Sequence, residues 1–154
     1  MLLNIQIREY DEDLFAPVTL LWRRAREESL PEFQREKGHP FEEDQVYFRD
    51  HILNQDTIWV AEEKSLLVGF KAVRNDFIDL LYVDPKYWRK RVGQALLDHA
   101  RNLSPSHLWL FTLQINHNAR VFYQKNGFTA QRFGVSPPPE SEPDVEYHWY
   151  YTER

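Results

Sequence analysis

VDPKYWRKRVGQALL, residues 83–97, decides the fold of this chain, and it follows directly on an apolar run, FIDLLYV (77–83). Asp84-Pro85 ends that run. Arg89, Lys90 and Arg91 come next, then a lone glycine, Gly93. Val92, Ala95, Leu96 and His99 fall on one face of a helix that Ser104-Pro105 stops. The stretch therefore reads as strand, basic turn, helix. The first turn of a helix has free backbone N–H groups and a partial positive charge, so it attracts anions. Gly93 would let an anion approach the backbone, and the cations would add Coulomb attraction. A solvated charged turn capping a surface helix is the other reading, and these residues alone leave both open.

Working outward, LWLFTL (108–113) is a nearly continuous apolar run, which predicts a strand buried on both faces. Residues 116–126 form a helix with Ala119, Phe122 and Tyr123 together and Gly127 just past its end. Two last strands, 128–135 and 145–151, flank the surface loop SPPPESEP. Upstream, TIWVAEE and LLVGFKAV make a hairpin around Glu62 to Ser65. Ile5 and Ile7 alternate with polar residues in a first strand, and Asp11 to Asp13 cap a helix carrying Leu14, Val18, Leu21, Trp22 and Ala25. Pro31, Gly38 and Pro40 break residues 29–44 into a loop with a short helical turn, leading to a second helix over 42–54. The pattern predicts one α/β domain over residues 1–154.

A chain of 154 residues, 42% hydrophobic and 15% aromatic, has enough apolar surface for a packed core. It has no cysteine, which excludes disulfides and thiolate nucleophiles and suits a reducing cytoplasm. The acidic start and the lack of a long apolar run argue against a leader and a membrane span. A formal charge of −5 argues against a nucleic-acid partner, which needs an extended basic face. No G-x-G-x-x-G or P-loop pattern occurs, and the six histidines show no metal-ligand spacing, so no metal is expected.

VDPKYWRKRVGQALL resembles the acyl-CoA-binding segment of the GNAT superfamily of N-acetyltransferases, V-x-P-x-[YH]-[RQ]-x-x-G-x-G-x-x-L-L. NHNARVFYQKNGF (116–128) resembles the second signature of that family, N-x-x-A-x-x-[FL]-Y-x-x-x-G-F, at every specified position. The order is right, with a strand between them. Two residues depart from the pattern: Trp88 replaces Arg/Gln, and Arg91 replaces the first glycine.

The resemblance implies a mixed, mostly antiparallel sheet with helices on both faces, whose parallel strands 77–83 and 108–113 splay apart. It implies acetyl-CoA as co-substrate. The pantetheine arm would lie in the gap against the backbone of Leu81, Tyr82 and Val83, with the pyrophosphate on the turn formed by Arg89, Lys90, Arg91, Val92, Gly93 and Gln94. Arg91 would keep helical dihedrals and point outward. Tyr123 matches the general acid, and Asn116 either holds the cofactor arm or caps its helix. Asp79, the only charged residue in FIDLLYV, would receive the proton of the amine, unless it pairs with an arginine or lies at a solvated edge. Asp76 and His107 are further candidates. Trp22 and residues 29–44 would wall the acceptor site, with core packing as the other reading for the tryptophan.

The function this implies is transfer of acetyl from acetyl-CoA to a primary amine by direct attack, with no covalent enzyme intermediate. A homodimer is among the assemblies the resemblance allows. The alternatives are an acyl-CoA-binding module without turnover, and a nucleic-acid binder using the WRKR turn, which lacks a second basic patch.

Overall fold

The computed structural model describes residues 3–153. Seven strands form one sheet in the order β1-β2-β3-β4-β5-β7-β6. They are β1 (Ile5–Glu9), β2 (Thr57–Glu63), β3 (Leu66–Arg74), β4 (Phe77–Val83), β5 (His107–Leu113), β6 (Thr129–Val135) and β7 (Pro143–Tyr150). Neighbours are antiparallel except β4 and β5, which run parallel. The mixed sheet implied by the resemblance is therefore present.

Six helices cover it: α1 (Phe15–Ser29), α2 (Pro31–Lys37), α3 (Phe41–Tyr47), α4 (Leu53–Gln55), α5 (Val92–Leu103) and α6 (His117–Lys125). Asp11 accepts from the Asp13 N–H and so starts a 3₁₀ turn that leads into α1. The segment expected to be a loop, 29–44, is largely helical instead. Pro31 sits in the first turn of α2, where its missing N–H costs nothing. Pro40 likewise precedes α3 rather than breaking it. Between α3 and α4 the chain winds as a π-helix, Phe48–Ile52, with Phe48 and Ile52 both turned into the core.

Val18, Leu21 and Trp22 of α1 join Phe48 and Ile52 against Ile58, Val60, Phe70 and Ala72 on one face of the sheet. On the other face Val92 and Leu96 of α5 meet Ala61 and Val68, while Leu97, Leu108, Leu110, Tyr123 and Tyr147 form a second cluster. β3 is thus the strand buried on both faces. β5, expected to be so, is not: Leu108 and Leu110 are buried, but Phe111 is 46% exposed. The reason lies in coverage, because the first helices lie over β2 to β4 and leave that face of β5 and β7 open. Gly69 marks where α5 sits closest to β3: a Cβ there would lie 3.0 Å from the Tyr82 carbonyl oxygen and 3.1 Å from the Leu96 and Val92 side chains.

Candidate functional site

The parallel strands β4 and β5 pair only at Phe77 with Trp109 and Ile78 with Leu110. Beyond that they part. Asp79 is an extra residue in β4, because Val73 of β3 faces Ile78 while Ala72 faces Leu80. Such a bulge bends a strand away from its neighbour. The Asp84 N–H bonds to the Val68 carbonyl of β3 at 2.8 Å. Alternation along the strand then turns the backbone groups of Leu81 and Val83 into the gap, where β5 offers no partner.

Two adjoining cavities occupy the opening. One, of about 90 Å³, lies in the gap and is lined by Asp79, Leu81, Asn116, Ala119 and Tyr123 among others. The second, about 260 Å³, lies on the α1–α2 side, between Ser29, Phe33, Gln34, Ser136 and Asp144. Tyr82, Phe111, Thr112 and Asn116 line both. The two cavities therefore adjoin along these four residues, at the place where β4 and β5 part.

At the rim of the gap stands the basic turn. Arg91 caps α5 with φ +68° and ψ +16°, a left-handed conformation, so the expectation of helical dihedrals is corrected. The position keeps the backbone shape that glycine usually supplies, while carrying a side chain. Arg89 has positive φ as well, at +63°. No side chain caps the first amides of α5, and Arg89, Lys90 and Arg91 are exposed, with no ion pair among the described residues. Free N–H groups and three uncommitted cations at a helix start are groups that attract an anion. Trp88 has a specific role here: its indole N–H donates to the Val83 carbonyl at 2.8 Å and occupies one of the groups that face the gap.

Arg91→Gly should therefore raise stability, since a non-glycine residue in this conformation costs about 1–2 kcal/mol and glycine returns some of that as chain entropy. The expected net gain is about 0.5–1 kcal/mol, measured as a higher urea midpoint with unchanged slope. An unchanged or lower midpoint would show that the turn is unstrained.

Tyr123 is 7% exposed and lines the gap, and its hydroxyl has no hydrogen-bond partner among the described residues. Burial, followed by the nearby Tyr82, raises the pKa of this phenol well above its usual value. It therefore stays protonated throughout the neutral range. The Asn116 Oδ1 accepts from the Ala119 N–H at 3.2 Å, so this side chain caps α6 while also bordering both cavities. Asp79 lies 3.5 Å from the Arg74 Nη1, which is 2.9 Å from Asp56. Asp56, whose side chain has no exposed surface, is pushed up to about 7 by burial and then by its hydrogen bond to Asp79. Asp56 thus carries its raised pKa next to Asp79, with Arg74 against both.

Other candidates lie elsewhere. Trp22 is buried against Phe48 and walls neither cavity. The His107 Nδ1–H donates to Asp76 at 2.7 Å, and the His107 Nε2 meets the His148 Nδ1 at 2.8 Å, on the open face of β5 and β7. Sequence reasoning missed Asp56 and Asp144. The first stands 23 residues from Asp79, and nothing in the local pattern links them. Asp144 takes a polar position in the regular alternation with Val145, Tyr147 and Trp149, so no local signal set it apart. No group of three or more His, Asp or Glu residues suited to a metal ion occurs among the described residues. No helix among them is long and apolar enough to cross a membrane.

A sheet parted between two parallel strands, with a helix start at the rim of the opening, defines the α/β class to which GNAT proteins belong. The family profile described as an acetyltransferase (GNAT) domain matches residues 54–130, half of the chain, and the chain belongs to that family. It is 35% identical over 98 residues to the peptidyl-lysine N-acetyltransferase YiaC of Escherichia coli K12, covering 59% of this chain. That alignment spans 66% of the relative, just under two thirds of its length. The solution structure of the apo form of YjaB from Escherichia coli superposes with a TM-score of 0.81 at 24% identity, covering 95% of this chain and 97% of that one. The PaiA N-acetyltransferase of Thermoplasma acidophilum, solved in complex with coenzyme A, gives 0.70 at 19% identity, over 96% and 99% of the two chains.

Proposed function

We propose that this chain transfers an acetyl group from acetyl-CoA to a primary amine. The observation that carries the reading is the gap between β4 and β5, where Tyr123 and Asp79 line one small cavity and a larger one adjoins it through Tyr82, Phe111, Thr112 and Asn116. The family, and relatives named peptidyl-lysine N-acetyltransferases, support it. The residues fit the co-substrate: the backbone of Leu81 and the Val83 N–H for an amide-bearing arm, beside the Val83 carbonyl that Trp88 occupies, and the Arg89 to Gln94 turn for phosphates. Acetyl-CoA supplies the acetyl group as a thioester.

The chain supplies the proton handling. An amine enters from the α1–α2 side as its ammonium form, and Asp79 takes one proton so that the nitrogen lone pair can attack. The C–N bond forms, the C–S bond breaks, the Tyr123 O–H gives its proton to the departing sulfur, and the second proton lost by the nitrogen restores the phenol. With no cysteine in the chain, the amine attacks directly. The Trp88 indole on the Val83 carbonyl favours one other reading, an acyl-CoA-binding module without turnover. Release of free thiol that requires an amine separates the two.

The titration of Asp56 sets the pH dependence. Below about 7 Asp56 is protonated, and a proton donated from it to Asp79 would occupy the oxygen that must accept from the amine; above about 7 Asp56 is ionised and that competition ends. Turnover should rise through neutral pH. Asp79→Asn should remove this acidic limb while acetyl-CoA still binds in calorimetry. A variant profile matching that of the wild type would exclude Asp79 as the base.

A further inference from the structure

The larger cavity has a charge pattern that bears on the acceptor. Arg26 borders it, but its guanidinium lies 2.6 Å from Asp44 and stacks on Trp22 at 4.2 Å. Arg23 shares Asp44 and also pairs with Glu27, so two arginines are balanced by two acids. Lys37 of α2 is bound to Glu142 and to the Glu140 carbonyl of the β6–β7 loop, which ties that loop to α2 beside the cavity. Two carboxylates of the lining are left over, Glu140 and Asp144.

Asp144 is the telling one. It is 8% exposed, and its carboxylate receives no hydrogen bond from another residue among those described. It lies beside Gly134, its cross-strand partner, where a Cβ would sit 3.4 Å from the Asp144 Oδ1. Burial raises its pKa, the mark of a carboxylate lacking a cation. An unpaired buried carboxylate is costly, and a bound cation would remove that cost. Leu30, Phe33 and Phe111 add apolar surface to an otherwise mostly polar lining, suited to a short methylene chain. The volume of about 260 Å³ equals that of roughly nine liquid waters, which fits a short chain and not a folded partner.

We propose that the acceptor is a small diamine, its distal ammonium seated on Asp144 and its reacting amine turned toward Asp79 and the gap. This rests on the acetyltransferase reading and narrows it. The full chain with coenzyme A is titrated with 1,4-diaminobutane, with 1-aminobutane and with a neutral-flanked, amino-terminally blocked lysine peptide, and binding is followed by NMR shifts. The diamine should bind about tenfold or more tightly than the monoamine, as one charge-assisted contact allows. That preference should vanish in Asp144→Asn, whose coenzyme A affinity should equal that of the wild type. Equal binding of the two amines, a preference that survives in Asp144→Asn, or peptide binding as tight as the diamine would each overturn the inference. Acetyl transfer is assayed in parallel. Diamine binding without transfer would fail the acetyltransferase reading alone, and transfer without diamine preference would fail this inference alone.

Discussion

Tyr123→Phe should lower turnover by about 10²–10⁴-fold, the range general acid catalysis contributes, while acetyl-CoA affinity changes little. The substitution keeps the ring, which packs edge-on against Phe128 and Phe122, and removes one oxygen. That oxygen makes no hydrogen bond among the described residues, so its loss leaves no partner stranded in the core. Stability should therefore hold, and the effect should appear in kcat more than in KM. Burial keeps the phenol protonated, so the acid form is available at every pH at which the amine can be deprotonated. A variant with wild-type kcat would remove Tyr123 from the reaction. A variant that loses turnover together with cofactor affinity would make it a packing residue of the gap.

Lys71→Met should abolish a rise in stability that the wild-type chain shows as pH climbs from about 7 to about 10.4. Lys71 lies in β3 with no exposed surface, its Nζ donating to the Leu96 carbonyl of α5 at 2.9 Å and meeting the His99 Nδ1 at 2.7 Å. Burial lowers its pKa to about 7, against an ordinary value near 10.5. The sign follows. In this pH window the unfolded chain binds a proton that the folded chain does not, so stability rises with pH. Below 7 both states are charged and the folded state bears the full desolvation cost. The rise attributable to Lys71 should be on the order of 4–5 kcal/mol, the free-energy equivalent of that shift. Urea denaturation of both chains between pH 6.5 and 10 measures it, with the difference cancelling the other titrating groups. Parallel curves for wild type and Lys71→Met would show that the ammonium is solvated in the folded state.

The fold was legible where periodicity and punctuation agreed. Asp84-Pro85, the spacing of Val92, Ala95 and Leu96, and the Asn116 to Gly127 helix all lie where the sequence predicts, because each is a local signal decided by neighbouring residues. Misreadings came from features set by distant parts. Pro31 and Pro40 have the chemistry of helix starts as much as of breakers, and only the packing of α2 and α3 decides between them. Phe111 belongs to an apolar run, yet the helices that would cover it lie over β2 to β4. Lys71 is a lone cation inside LLVGFKAV, and its partners on α5 are 25 and 28 residues away, out of reach of local reading. The site divides the same way. Tyr123, Asn116 and the basic turn are read from contiguous motifs, whereas Asp56 and Asp144 reach it only through the register of the sheet. Arg91 was legible as a departure from the family pattern, and its left-handed backbone is the physical price of keeping the turn without the glycine.

The most direct test mixes the chain with acetyl-CoA, with and without 1,4-diaminobutane or a lysine peptide, and follows free thiol and acetylated amine together over time. The account predicts thiol release only when an amine is present, one thiol for each amide formed. Thiol released at the same rate without amine, or no thiol released with either acceptor, would contradict it.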